Sequence, residues 1–368
     1  MNSLSAANTR FAFDLFQQFK TSKKGDNIFF SPLSISSALA MTYLGAKENT
    51  ALEIGKVLHF NEATESTTGR TTTDHVEKME NVHHQFQKLL TELKKPTDAY
   101  ELNMANKFYG EKKYQFLQEY MDNIKKFYLA SVESVDFNNA AEESRKKINS
   151  WVESQTNEKI KDMFPKDSLN HTILVLVNAV YFKGQWDTKF DTKNTVEKEF
   201  WLDKDLQAKI LEIPYKGKDL SMMLLLPHEV DGLQKLEDQL TAEKLIEWTS
   251  SQNMSNGQVD LYLPRFKVEE SYELKATLKA LGMVDAFNTK SANFSGMTGR
   301  QDLVVSKVRH KSFVEVTEEG TEAAASTDVE VIAKSAPTYP FHCDHPFLFF
   351  IKHNKTNSIL FLGRVSSP

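Results

Sequence analysis

The chain has 368 residues, 40% of them apolar, enough for one large core or two ordinary ones. Lys and Arg number 45 against 50 Asp and Glu, a formal charge of -5, which removes any electrostatic case for nucleic acid or an anionic membrane as partner. The single cysteine, Cys343, excludes an internal disulfide and suits a reducing compartment.

The first half reads as helices. Met1 to Arg10 contains no apolar run of signal-peptide length and no later run reaches membrane-spanning length, so a cytoplasmic protein is expected. Asn170, Asn253, Asn293 and Asn354 head N-x-Ser/Thr triplets, which carry no meaning without secretory export. Ala12, Leu15, Phe16 and Phe19 share one face at helical spacing. Ser31-Pro32 supplies a cap and a first-position proline, and Gly45 stops that helix. Asn49 or Thr50 would cap the next helix, through Ile54 and Leu58. Residues 61–76 are polar and nearly free of apolar anchors, the composition of a mobile loop. Helical pattern resumes at 80–94, 114–128 and 140–155. Lys94 and Lys95 close the first of these beside Glu92, which favours a solvated helix end over a polyanion site.

The second half turns to strands. Ile173 to Phe182 is an almost unbroken apolar, β-branched run, the pattern of a central strand covered on both faces. Asp219 to Leu226, Val259 to Leu263 and Phe347 to Ile351 read likewise, and His353 to Asn357 is a turn into Ser358 to Leu362. Helices from one half packed on sheets from the other give one α+β domain over residues 1–368. The thiol of Cys343 lies among His342, Asp344 and His345, but a fourth metal ligand at usable spacing is absent, so Cys343 is read as a buried structural residue.

One late segment fits neither pattern. From Thr321, alternate positions carry Thr321, Ala323, Ala325, Thr327, Val329, Val331 and Ala333 on one face. Glu322, Ala324, Ser326, Asp328, Glu330, Ile332 and Lys334 fall on the other, with every charge of the segment. That is a strand with one side fit for burial. Pro337 and Pro340 close the segment and bar it from lying in place as an ordinary central strand. The expectation is an exposed loop that holds the sequence of a strand.

The stretch Glu318-Glu319-Gly320-Thr321-Glu322-Ala323-Ala324-Ala325-Ser326 resembles the hinge of the reactive-centre loop of serpins. The resemblance runs over nearly the whole chain, through the blocks Asn27 to Leu39, Leu176 to Trp186, Leu263 to Phe266, His345 to Phe350 and Phe361 to Arg364. Within the family it is nearest the intracellular, ovalbumin-like clade B and its squamous cell carcinoma antigen group. The likeness implies the serpin fold: a helix-rich N-terminal half packed on a large central β-sheet, with smaller sheets and an exposed reactive-centre loop at about 318–341. It also implies a suicide-substrate inhibitor that forms a covalent acyl complex with an endopeptidase, acting as a monomer without cofactor or metal.

The family's spacing from Glu318 sets the scissile bond at Lys334-Ser335, and a lysine there suits a trypsin-like serine protease. The squamous cell carcinoma antigen likeness equally admits papain-like cysteine proteases, with the cut a residue or two away. By the same resemblance Ser31, Ser34, Asn178 and His310 form a polar latch beneath the sheet, and Trp186 marks where the loop enters. One departure stands out. Trp201 to Asp205 passes almost directly into Ala208 to Tyr215, where relatives carry two further strands, roughly twenty residues at usual strand lengths. The missing strands would belong to the sheet near the loop's distal end and to the small barrel. A non-inhibitory serpin, cut without trapping, is therefore the alternative. An enzyme in its own right has no support, because G-x-S-x-G, H-E-x-x-H and phosphate-cradling glycine loops are all missing from the sequence.

Overall fold

Ser31 caps a helix as its position suggests. Its side chain accepts from the Ser34 amide at 3.2 Å, and Pro32 follows at the first turn. The computed structural model describes residues 3–60, 72–187, 196–203, 207–248, 255–317 and 338–368. The N-terminal part runs α1 (Ser3–Ser22), β1 (Ile28–Phe30), α2 (Pro32–Gly45), α3 (Glu48–Val57), α4 (Thr72–Leu93), β2 (Tyr100–Glu111), α5 (Gln118–Tyr128), β3 (Ser131–Val135) and α6 (Ala141–Gln155). The remainder runs β4 (Leu174–Gly184), β5 (Val196–Asp203), β6 (Ala208–Pro214), β7 (Leu220–Pro227), α7 (Leu233–Gln239), α8 (Ala242–Trp248), β8 (Ser255–Tyr262), β9 (Phe266–Glu273), α9 (Lys275–Leu281), β10 (Lys307–Val316), β11 (Thr338–His342), β12 (Phe347–His353) and β13 (Ser358–Val365). This is the mixed α+β architecture expected of helices packed on a large sheet.

Three boundaries differ from expectation, the first two because tertiary partners claimed the residues. Helix α3 starts after Lys47, which makes no side-chain cap. The expected caps are otherwise engaged: Asn49 donates to Asp285 at 2.6 Å, and Thr50 accepts from the Asn293 amide at 3.0 Å. Helix α5 begins at Gln118 rather than 114, because Tyr114 and Phe116 are buried in the connection and Leu117 donates its amide to the Met297 carbonyl at 2.8 Å. Helix α4 takes in the end of the polar stretch from Thr72; residues 61–71 lie outside the described residues. Lys95 follows that helix, and Glu92 within it is paired with Lys355 at 3.2 Å.

Two sheets organise the described chain. The five-stranded sheet has the order β3-β2-β4-β10-β9. Its centre is β4, antiparallel to β2 and parallel to β10, with Val175 opposite Lys307 through to Lys183 opposite Glu315. Leu174, Leu176, Val180 and Phe182 of β4 face the main core under α2, while Val175, Val177 and Ala179 face Ile148 and Val152 of α6. Burial on both sides is why the strand's sequence reads as a continuous apolar run rather than an alternation.

The eight-stranded sheet has the order β1-β13-β12-β7-β6-β5-β8-β11. Here β5 serves two neighbours. Val196 to Phe200 pair antiparallel with β8, and Glu199 to Asp203 pair antiparallel with β6. A single short strand joins the barrel-like strands to those beside β11, at the junction where the sequence runs straight from Asp205 into the next block.

The β12–β13 hairpin packs against β1 with no room to spare at Gly363. A β-carbon there would meet the Phe349 ring at 2.7 Å and the Ile28 carbonyl oxygen at 2.9 Å. Because one of those neighbours is backbone, the clash cannot be relieved by a side-chain rotation. Gly363→Ala should therefore cost about 1–3 kcal/mol. Urea unfolding of the variant checks this, and an unchanged midpoint would contradict the packing described.

Candidate functional site

Asn178 sits in the middle of β4 between apolar Val177 and Ala179, and a buried amide there must find partners. The structure supplies them from three elements. Across the sheet, Asn178 lies in register with Asn106 of β2 and His310 of β10. From below, the N-terminal turn of α2 brings Ser34, whose hydroxyl accepts from the Asn178 amide at 2.6 Å. The same amide donates to Asn106 and to the Ser34 carbonyl, the latter at 3.2 Å.

The His310 ring connects the strands to the helix cap. Its Nε2 accepts from the Ser31 amide at 3.1 Å, so the proton resides on Nδ1, which donates to the Asn178 carbonyl oxygen. The Ser31 hydroxyl donates in turn to the Leu360 carbonyl at 2.6 Å on β13. Ser31, Ser34, Asn178 and His310 are thus one connected group beneath the β4–β10 seam. Reasoning from the sequence missed Asn106, which required strand β2 to be recognised. It also missed Ser312, which donates to the Phe29 carbonyl at 3.0 Å.

Trp186 lies just past the end of β4. Its ring stacks on Tyr215 at 4.5 Å and 10°, and its Nε1 donates to the Thr317 carbonyl at 2.8 Å. Thr317 directly follows β10, so Trp186 holds the chain at the point where the next segment departs. Glu318, Glu319, Gly320, Thr321, Glu322, Ala323, Ala324, Ala325, Ser326, Lys334 and Ser335 all lie outside the described residues. The chain returns in β11, which pairs parallel with β8 from Thr338 opposite Gln258.

The Cys343 neighbourhood is structural in character. Cys343 is buried, and burial drives its thiol far above the ordinary range, against thiolate chemistry. His342 meets Asp260 at 2.9 Å, while His345 bonds Asp344 at 2.8 Å and the Pro227 carbonyl at 2.7 Å. Among the described residues no cluster of three or more His, Cys, Asp or Glu is arranged to hold a metal ion. No described helix is long and apolar enough to cross a membrane.

Burial also keeps His310 neutral, pushing its pKa down to about 3. The unfolded chain protonates the same imidazole below about pH 6.5. Stability from this source is therefore complete above pH 6.5 and is lost as the pH falls from there towards 3, by up to about 1.4 kcal/mol per pH unit. Urea unfolding from pH 7 to pH 4 should show a steeper decline for the natural protein than for His310→Gln. Parallel profiles would mean that the imidazole is solvated rather than held between Ser31 and Asn178.

Comparison with known proteins agrees with this geometry. The family described as Serpin (serine protease inhibitor) matches residues 6–207 and 203–368, two segments that overlap at 203–207. Human Serpin B3 is 64% identical over 393 aligned positions covering all of both chains, 25 more positions than the 368 residues here. Human leukocyte elastase inhibitor is 46% identical, again across all of both chains. Uncleaved ovalbumin superposes with a TM-score of 0.87 at 36% identity, covering 99% of this chain and 100% of the other. A loop-inserted, cleaved ovalbumin mutant superposes at 0.84 with the same identity and coverage. The chain belongs to the serpin family of serine protease inhibitors.

Proposed function

We propose that the protein inhibits an endopeptidase as a suicide substrate, cut at Lys334-Ser335 and trapping the protease covalently as residues from Thr321 onward insert between β4 and β10. One observation carries this reading: β4 and β10 are adjacent and parallel, and β10 leads directly into the bait segment. A strand folding back from Thr317 runs antiparallel to both neighbours, so each of its edges finds hydrogen-bond partners. Parallel neighbours are the one arrangement in which a single returning strand gains two antiparallel ladders.

The sequence of the segment suits that place. The face bearing Thr321, Ala323, Ala325 and Thr327 is small and uncharged, as passage into a buried layer requires. Each new ladder bond contributes about 0.5–1.5 kcal/mol net. Ten or so of them rival the ~5–15 kcal/mol that stabilises an ordinary domain, which is enough to distort an attached enzyme. Strand insertion of this kind is established for serpins as a family, and what belongs to this chain is the alternation of its bait segment. Lys334 favours trypsin-like serine proteases, and a papain-like cysteine protease would be held as a thioester by the same device. The buried single thiol accords with action in a reducing compartment, by a monomer.

A second reading has its own observation. The 25 aligned positions that the chain lacks against Serpin B3, and the double pairing of β5, together suggest an internal deletion at 205–206. A weakened anchor at the loop's distal end would let a protease cut and leave before trapping. Incubation with trypsin followed by a denaturing gel separates the two. An inhibitor gives a band at the summed mass, and a substrate gives clean nicking. Lys334→Ala should abolish the band with trypsin-like enzymes. Thr321→Arg should convert trapping to nicking, since it forces an unpaired charge into a buried layer; undiminished complex would reject insertion.

A further inference from the structure

The geometry points to a second fastening of the β4–β10 seam, on the outer face, in which Tyr181 and Glu315 set how readily the two strands part where the loop begins to enter. This inference rests on the insertion reading above and concerns its rate. On that face Phe313 and Glu315 of β10 lie in register with Tyr181 and Lys183 of β4. The Tyr181 and Phe313 rings stack across the seam at 5.4 Å and 27°. The Tyr181 hydroxyl donates to Glu315 Oε2 at 2.9 Å, and Lys183 Nζ stands 3.9 Å from the same oxygen. Lys267 on β9 holds Oε1 at 3.1 Å.

Glu315 is therefore a carboxylate only 9% exposed, tied to the strands on either side of its own. Its partners are unequal in the event of opening. Those on β4 lie across the seam and must be given up, while Lys267 lies on the side that stays together. When the seam parts, the carboxylate keeps a countercharge, so release does not strand an uncompensated buried ion. That makes the contact a fastening that resists opening without forbidding it. It also comes first: a strand returning from Thr317 passes Glu315 before it reaches His310. The Tyr181 hydroxyl is the largest single polar contact to break there, because bonds to charged acceptors are the strong ones.

A labelled synthetic peptide with the sequence of residues 321–333, mixed with the intact protein, reads seam opening without any protease. Tyr181→Phe keeps the stacked ring and removes the donor. Its peptide uptake should be about ten- to hundredfold faster than that of the natural protein, as for loss of a bond to a charged acceptor at the barrier. Glu315→Gln, which keeps the shape and removes the charge, should shift the rate in the same direction. Tyr109→Phe is the control, since the Tyr109 hydroxyl is buried on the same face of the sheet with no hydrogen-bond partner among the described residues. Its uptake rate should be unchanged. Equal rates for Tyr181→Phe and the natural protein would overturn the fastening and leave insertion standing, as would an acceleration that Tyr109→Phe reproduced. Failure of every form to take up the peptide would reject insertion, and the fastening with it.

Discussion

Asn178 lies at the centre of a strand buried on both faces, and its amide has to be satisfied from whatever stands beside it. The solution ties three strands and a helix cap together, with Asn106 and His310 at the same level of the sheet and Ser31 and Ser34 beneath. Each partner is itself used more than once. Ser31 caps α2, accepts from Ser34, donates to Leu360 and offers its amide to His310. Buried polar groups of this sort are costly when half satisfied and specify one arrangement when complete. Here they specify that β4 and β10 sit side by side and parallel, and the rest of the functional reading follows from that.

In the insertion reading proposed above, the parallel pair β4 and β10 would receive a strand returning from the end of β10. Side chains cross the seam between those two strands. They act at its centre through the His310 imidazole, and near its mouth through Trp186 and the outer-face carboxylate Glu315. None of these contacts is large by itself, and all lie where an added strand would have to pass. The protein's second sheet is organised differently. There β5 pairs with β8 along one half and with β6 along the other, so continuity depends on eight residues, Val196–Asp203. The edge strand β11 reaches the rest of that sheet through β8 and β5.

Much of this was legible in the residues. The apolar run from Ile173 to Phe182 announced a doubly covered strand, and Ser31-Pro32 announced the start of α2. Asn178 was marked by the serpin resemblance, and it is the one amide within that apolar run. Other features were hidden for identifiable reasons. Strand β2 alternates too weakly to stand out, being only half-buried along much of its length, and Asn106 was lost with it. Glu315 looks like any exposed acid, and only the register of β10 against β4 and β9 shows it to be enclosed by Tyr181, Lys183 and Lys267. The caps assigned to Asn49 and Thr50 failed because distant partners, Asp285 and Asn293, compete for those side chains. Local spacing carries no information about such partners.

Insertion is tested most directly by the structure of the protein after a single cut at Lys334-Ser335. The expected result is a new strand from Thr321 onward between β4 and β10, antiparallel to both, with His310 no longer bonded to Asn178. A cut protein in which Val175 to Lys183 still pair with Lys307 to Glu315, the latch intact between them, would contradict it.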